Sequence, residues 1–183
     1  MLLSLPSTVS TSFRWSIGSF FCGFEGNASK EGVDLVLLSA IRLIREAIPY
    51  MQRQKWRGFI VMTSLSAKQP IDDLIISSIL RSGLRSLTRI LSNQYAPDGI
   101  TVNSVLPEFI LTKRQEEIFR ARAKTSGQSS QALTNIFVQT IPALRLDSPE
   151  EVGGLVTFLA SERAGYITGV AIATGGGLSK GIL

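Results

Sequence analysis

Ala96-Pro97-Asp98-Gly99-Ile100-Thr101-Val102-Asn103-Ser104-Val105-Leu106-Pro107 sets a helix terminator, a strand and a strand terminator in direct succession. Pro97 lacks the N–H through which a helical turn bonds, and Gly99 suits the left-handed residue that follows a helix, so together they end whatever helix precedes them. Ile100 to Val105 is rich in β-formers and reads as a buried strand closed by Pro107. Upstream, Ile76, Ile79, Leu80, Leu84, Leu87 and Leu91 recur at three- and four-residue spacing, which predicts an amphipathic helix from about Leu74 to Tyr95. A helix therefore runs straight into a strand.

The same alternation extends both ways. Before it, Leu37, Ile41, Ile44, Ile48 and Met51 mark an amphipathic helix to Gln54, which Pro49 is expected to kink or shorten. Gly58 opens the apolar run Phe59-Ile60-Val61-Met62-Thr63, a buried strand ending at Ser64. After Pro107, a polar stretch from about Lys113 to Phe137 reads as one helical, mobile or surface segment of the kind that forms lids. Ser148-Pro149-Glu150-Glu151 is a helix start, with serine as N-cap, proline at the first helical position and Glu151 placed to close a capping box. Val170 to Thr174 is the last strand, running into Gly175-Gly176-Gly177. Strands alternating with helices imply crossovers and a parallel sheet covered on both faces.

Composition narrows the chemistry. The chain has 183 residues, 44% of them hydrophobic and 18% charged, enough to bury one core. It contains no histidine, so serine–histidine triads, cysteine–histidine pairs and histidine-ligated zinc are excluded, and no metal site is expected. Its one cysteine, Cys22, permits no internal disulfide. No apolar run reaches the roughly 18 residues of a membrane span. The net charge of +5 suits an anionic partner without specifying one. Arg81, Arg85 and Arg89 at four-residue spacing, with Arg42, Arg45, Arg53, Lys55 and Arg57, carry no interleaved aromatic platform, and solvated helix faces bear such charges routinely. Nucleic acid is not the expected partner.

Residues 1–31 differ from the rest: serine-rich, with one arginine and no acid before Glu25. They are expected to be a leader of uncertain order preceding a domain of residues 32–183. Pro6 interrupts the apolar start too early for a secretory signal. A cytoplasmic location is expected, with an organelle as the alternative if this stretch is a transit peptide. Ile17–Phe24 could form a short buried strand, and Asn27-Ala28-Ser29 matches a glycosylation acceptor that matters only on secretion.

From about Val33 onward the chain resembles the second half of a short-chain dehydrogenase/reductase, of the 3-oxoacyl-acyl-carrier-protein reductase type. The resemblance rests on the order and spacing of Leu37 to Leu43, Ile60 to Ser64, Ala96 to Pro107, Ser148 to Val152, Phe158-Leu159-Ala160-Ser161, Tyr166-Ile167-Thr168-Gly169 and the terminal glycines. It implies a Rossmann-like, three-layer α/β fold with a parallel sheet, NADP or NAD as cofactor, and hydride transfer at a carbonyl or alcohol carbon, with a 3-oxoacyl thioester as substrate class. It also implies an N-terminally truncated domain: no glycine-rich turn occurs in residues 1–36, Gly23 and Gly26 lack its spacing, and the chain ends too soon after Gly177 for a helix to follow that run.

The family's catalytic groups carry over unevenly. Its serine matches Ser64, its tyrosine falls at Ser77 and its lysine at Arg81, while its asparagine falls at Val36. Ser77 and Arg81 share a helix face, so the pairing survives while the chemistry changes: an aliphatic hydroxyl is a poor acid and arginine does not release its proton. Tyr95 is roughly 27 Å along the helix from Ser77 and cannot replace the acid. Tyr166 belongs to a packing element, and Asp72 and Asp73 read as solvated loop acids. For the cofactor, the resemblance leaves Pro107, Ile110 and Thr112, with Glu108 where the family usually has glycine. Two readings stand: an NAD(P)-dependent oxidoreductase that is degenerate or inactive as this chain, and a non-catalytic oligomer subunit or remnant. In both, helices 37–54 and 74–95 are the expected homo-oligomer contacts, since those helices pack between subunits in the family.

Overall fold

The computed structural model describes residues 27–54 and 58–180; the serine-rich start, Cys22, Ile17–Phe24, Lys55 and Arg57 lie outside them. Helix α1 (Asn27–Gly32) begins ahead of the change in composition at residue 32 and passes through a π-helical stretch, Val33–Leu38, into α2 (Ser39–Gln54). Ile44, Ile48 and Met51 form the buried stripe of α2. The expectation that Pro49 shortens the helix is not met, for α2 carries it in its interior. Pro49 and Arg45, whose carbonyl loses its helical donor, are both exposed, so water can serve that carbonyl.

Strands β1 (Gly58–Met62), β2 (Thr101–Pro107) and β3 (Ala171–Thr174) are parallel and lie in that order. Their register sets Met62 opposite Val105 and Pro107 opposite Thr174, so the carboxyl ends of all three strands meet at one edge. Helix α3 (Ile75–Tyr95) connects β1 to β2, and α4 (Lys113–Ser126), α5 (Ser130–Val138) and α6 (Pro149–Ala160) lie between β2 and β3. Ile44, Ile48, Val61 and Leu84 pack on one face of the sheet, with Met51, Ile100 and Val102 beside them. Val105, Val152, Leu159 and Ala164 form the core of the other face under α6. The three layers expected from the sequence are present. So is the αL glycine that ends the helix before β2, Gly99 at φ 74°.

Two expectations need correction. The apolar stripe of α3 does not include Ile79, which is 50% exposed; the buried face instead carries Ser78, Thr88 and Ser92 beside Ile76, Leu80 and Leu84. Those hydroxyls are satisfied within the fold: Ser104 Oγ donates to Thr88 Oγ1 at 2.8 Å, and Thr88 Oγ1 donates to the Leu84 carbonyl at 2.9 Å. A hydroxyl bonded back to its own helix is compatible with burial, which a hydrophobicity count cannot register. The stretch 113–137 is also two helices rather than one, broken at Gly127, whose φ of 69° suits glycine. It lies mostly at the surface, as expected, with Phe119 buried and Phe137 edge-on against Phe109, beyond the end of β2, at 4.3 Å.

The return to β3 is governed by Asn103. Its side chain is fully buried, with Nδ2 donating to the Ile167 carbonyl at 2.8 Å and Oδ1 accepting from the Val170 N–H at 3.2 Å. Next to it, the Val102 N–H donates to Thr168 Oγ1 at 3.0 Å and the Gly169 N–H to the Val102 carbonyl at 2.9 Å. Replacing Asn103 by alanine strands two backbone groups in the core, and each unsatisfied group costs about 1–3 kcal/mol. Asn103→Ala is therefore expected to lower unfolding free energy by about 2–4 kcal/mol in urea denaturation, whereas Ser161→Ala, at an exposed helix end, leaves the midpoint nearly unchanged.

Candidate active site

The site is assembled where β1 stops. The Thr63 N–H donates to the Val105 carbonyl at 2.9 Å, holding the strand end against β2. Ser64 then caps the 3-10 turn Leu65–Ala67, its Oγ accepting from the Ser66 N–H and from Ser66 Oγ, both at 3.3 Å. One turn of α3 separates Ser77 from Arg81, and Arg81 Nε donates to Ser77 Oγ at 3.0 Å. Arg81 Nη1 donates to the Thr63 carbonyl, again at 3.0 Å. The three residues expected from the sequence are thus gathered at one strand end: Ser77 and Arg81 bond directly, and Arg81 grips the residue before Ser64. Burial lowers the pKa of Arg81, but a guanidinium bonded to a hydroxyl and a carbonyl stays a cation. Sequence reasoning missed Ser66 and the Thr63 carbonyl, because neither carries a motif signal.

Other candidates fall elsewhere. Val36, at the position of the family's asparagine, sits in the π-helical stretch and packs against the core that holds Ile44 and Leu84. Tyr95 ends α3 and Tyr166 is fully exposed, so neither can supply a proton at Ser77. Asp72 is exposed in a short 3-10 turn before α3. The proposed charge stripe of Arg81, Arg85 and Arg89 is not one solvated face, because Arg81 is half-buried and bonded inward. Among the described residues no three His, Cys, Asp or Glu side chains gather as a metal site. No helix among them is long and apolar enough to cross a membrane.

Beyond β2, Pro107 faces Thr174 across the sheet and Ile110 forms a parallel bridge with Asp147. Thr112 caps α4, its Oγ1 accepting from the Gln115 N–H at 3.3 Å. The Glu108 carboxyl lies over Gly175, with Oε2 buried and without a hydrogen-bond partner, and burial pushes its pKa up to about 7. Gly175 also lines a cavity of about 220 Å³, together with Phe109, Ile141, Arg145, Asp147, Glu151 and Thr174. At its mouth Arg145 clasps Glu151 through two bonds of 2.6 Å, and the Ser148 N–H donates to the same carboxylate, completing the capping box of α6.

These groups fit one end of a dinucleotide. Thr112 and the N-terminus of α4, beside Pro107 and Ile110 in the crevice past the strand ends, suit a polar or anionic portion of such a ligand. No glycine-rich turn between a strand and a helix is present among the described residues to hold a pyrophosphate. An ionised Glu108 beside Pro107 would also oppose an anion. Among the described residues, the groups suited to such a ligand are those past the carboxyl end of β2.

A family model described as enoyl-(acyl carrier protein) reductase matches residues 23–179. The chain is 33% identical over 142 residues to the NADPH-dependent reductase BacG of Bacillus subtilis, covering 78% of this chain and 55% of that protein. It is 32% identical over 145 residues to the 3-oxoacyl-[acyl-carrier-protein] reductase MabA of Mycobacterium tuberculosis, covering 79% and 54% respectively. Among solved structures, the L-sorbose reductase of Gluconobacter frateurii, complexed with NADPH and L-sorbose, superposes with a TM-score of 0.81 at 28% identity, covering 87% of this chain and 62% of that one. The chain spans about half the length of the curated relatives it matches.

The Arg145–Glu151 clasp carries a pH signature. Hydrogen bonding from Arg145, and then from the Ser148 backbone, lowers the Glu151 pKa from 4.5 to about 2. A depressed carboxylate contributes stability that is present above its unfolded pKa and is lost as pH falls through its folded one. The stability difference between the wild type and Glu151→Gln, followed by urea denaturation, is therefore expected to be constant above pH 5 and to shrink toward zero as pH approaches 2.

Proposed function

The chain belongs to the short-chain dehydrogenase/reductase family, and from that premise we propose that it carries the substrate side of an NAD(P)-dependent carbonyl reductase site weakened by its own residues. The substrate class is a carbonyl of the 3-oxoacyl thioester kind. One observation carries the reading: the arginine at the family's lysine position bonds both Ser77 Oγ and the Thr63 carbonyl, next to Ser64.

In this site Ser64 donates a hydrogen bond to a carbonyl oxygen, and the Arg81 charge stabilises the negative charge that develops there. Pro107, Ile110 and Thr112 face the nicotinamide end of the cofactor, which supplies the hydride when bound. The weak step is the proton. Ser77 stands where the family has a phenol, its hydroxyl is far less acidic, and Arg81 can orient it without passing a proton. Positioned general acids contribute about 10²- to 10⁴-fold in rate, so the loss falls on turnover more than on binding.

The test is titration with NADPH followed by a reductase assay on a 3-oxoacyl thioester. Relative to the wild type, Ser77→Tyr combined with Arg81→Lys is expected to raise kcat by about 10²-fold or more, with KM changing little. Equal turnover in the two proteins would overturn the reading.

A second reading is favoured by a separate observation. Leu35, Leu43 and Tyr50 stand exposed on the outer side of the α2 segment, and Ile79 and Ile90 on that of α3, with Leu43 65% and Ile90 61% exposed. Apolar side chains aligned on outer helix faces suit a helix-on-helix contact with a second copy of this chain, as a homo-oligomer with or without catalysis. Sedimentation velocity is expected to show a dimer or larger species for the wild type, reduced to monomer in Leu43→Asp/Ile90→Asp; a monomeric wild type would refute it.

A further inference from the structure

Glu108 has no role in the reductase site as described, yet it is the most unusually placed acid in the described chain. It follows Pro107 at the carboxyl end of β2, and the register that pairs Pro107 with Thr174 sets it opposite Gly175. Its Oε2 is buried and makes no hydrogen bond. A Cβ at Gly175 would lie 2.8 Å from that oxygen, so the carboxyl occupies the space a side chain would take and a residue larger than glycine would push it aside. A buried carboxylate without a donor is costly, whereas a neutral carboxyl is tolerated far better.

The segment under this carboxyl is held by few other bonds. The Leu178 N–H donates to the Gly175 carbonyl at 3.0 Å, the Ala143 N–H to the Gly176 carbonyl at 2.9 Å, and the Lys180 N–H to Gln69 Oε1 at 3.1 Å. Gly176 and Gly177 both take positive φ, 58° and 89°, and sit closely against Ile141, Pro142 and Ala143, so the turn calls for glycine at both positions. Ser179 Oγ is also buried without a partner. The segment is thus fastened by backbone bonds and by glycines packed on residues 141–143, and it lies against an acid oxygen that lacks a donor.

We propose that Glu108 is a proton-operated latch: neutral, it lies over Gly175 and keeps Gly175–Lys180 closed on the carboxyl ends of β2 and β3; ionised, it turns out to water and releases that segment. The charged side chains lining the cavity beside Gly175 are Arg145, Asp147 and Glu151, and Lys180 lies in the segment itself. None of them contributes to the shift of Glu108, which comes from burial alone and runs from 4.5 up to about 7. A raised carboxyl stabilises the closed form fully below its ordinary pKa, and that stabilisation is lost as pH rises through about 7. The latch therefore loosens across the neutral range. It stands beside Pro107 but does not depend on the reductase reading, since it concerns the closure of the segment and not turnover.

The test is residue-resolved amide hydrogen exchange on the full chain at pH 5 and pH 8, corrected for the intrinsic pH dependence of exchange. The reporters are the amides of Ala143, Leu178 and Lys180, and Ser104, bonded to the Val170 carbonyl in the core, is the control. In the wild type, reporter protection is expected to fall at least about tenfold from pH 5 to pH 8, with the control unchanged. Glu108→Gln, which cannot ionise, is expected to abolish that fall. Gly175→Ala displaces the carboxyl and is expected to leave the reporters weakly protected at both pH values. A flat wild-type profile, or the same fall in Glu108→Gln, would overturn the proposal. Should the variants fail to fold, carbon-13 NMR of the wild-type Glu108 carboxyl decides: a midpoint near 7 that tracks the reporter amides supports the latch, and one near 4.5 refutes it.

Discussion

A single buried amide, that of Asn103, is the constraint on which the sheet and the crevice at its edge depend. The chain leaves β2, makes a long excursion through α4, α5 and α6, and must return in parallel and in register. Closing so long a loop costs entropy that grows only slowly with length, but choosing the register requires something specific. A slip of one residue would turn every side chain of β3 to the wrong face. Asn103 prevents this by bonding the Ile167 carbonyl and the Val170 N–H from the middle of β2, with Thr168 and Gly169 bonded to Val102 beside it. Once that register is set, Pro107 meets Thr174 and Glu108 is carried onto Gly175.

The strand end at Ser64 is held by a second polar arrangement, in which Arg81 has a structural role. A guanidinium presents several donors in a plane, so Arg81 reaches Ser77 and the Thr63 carbonyl together and ties α3 to the end of β1. That tie sits among other helix-to-sheet hydroxyl contacts, of which Thr88 with Ser104 is the most buried. The arrangement is rigid and polar yet poor in transferable protons.

Much of the fold was legible because its signals are local. The 3.6-residue stripes of α2 and α3, the β-rich runs at 58–63, 100–105 and 170–174, the Pro97–Gly99 terminator and the Ser148–Glu151 capping box each need only a few neighbouring residues to be read. The misreadings have one cause in common. Pro49 is tolerated because its side of α2 is exposed, and Ile79 faces solvent while Ser78, Thr88 and Ser92 take the buried face of α3. Each outcome depends on what lies across the layer, which periodicity does not contain.

The site divides along the same line. By itself the sequence determined which residue types stand at the strand ends: a serine at 64, a serine and an arginine one helical turn apart at 77 and 81, and a glutamate at 108. Spacing along one chain and the chemistry of each side chain suffice for that. Only the tertiary structure decided that Arg81 turns back onto the Thr63 carbonyl, that Val36 serves the core, and that Glu108 lies buried without a partner over Gly175. Desolvation and hydrogen-bond satisfaction are properties of the space around a group, and that space is built here by strands far apart in the chain.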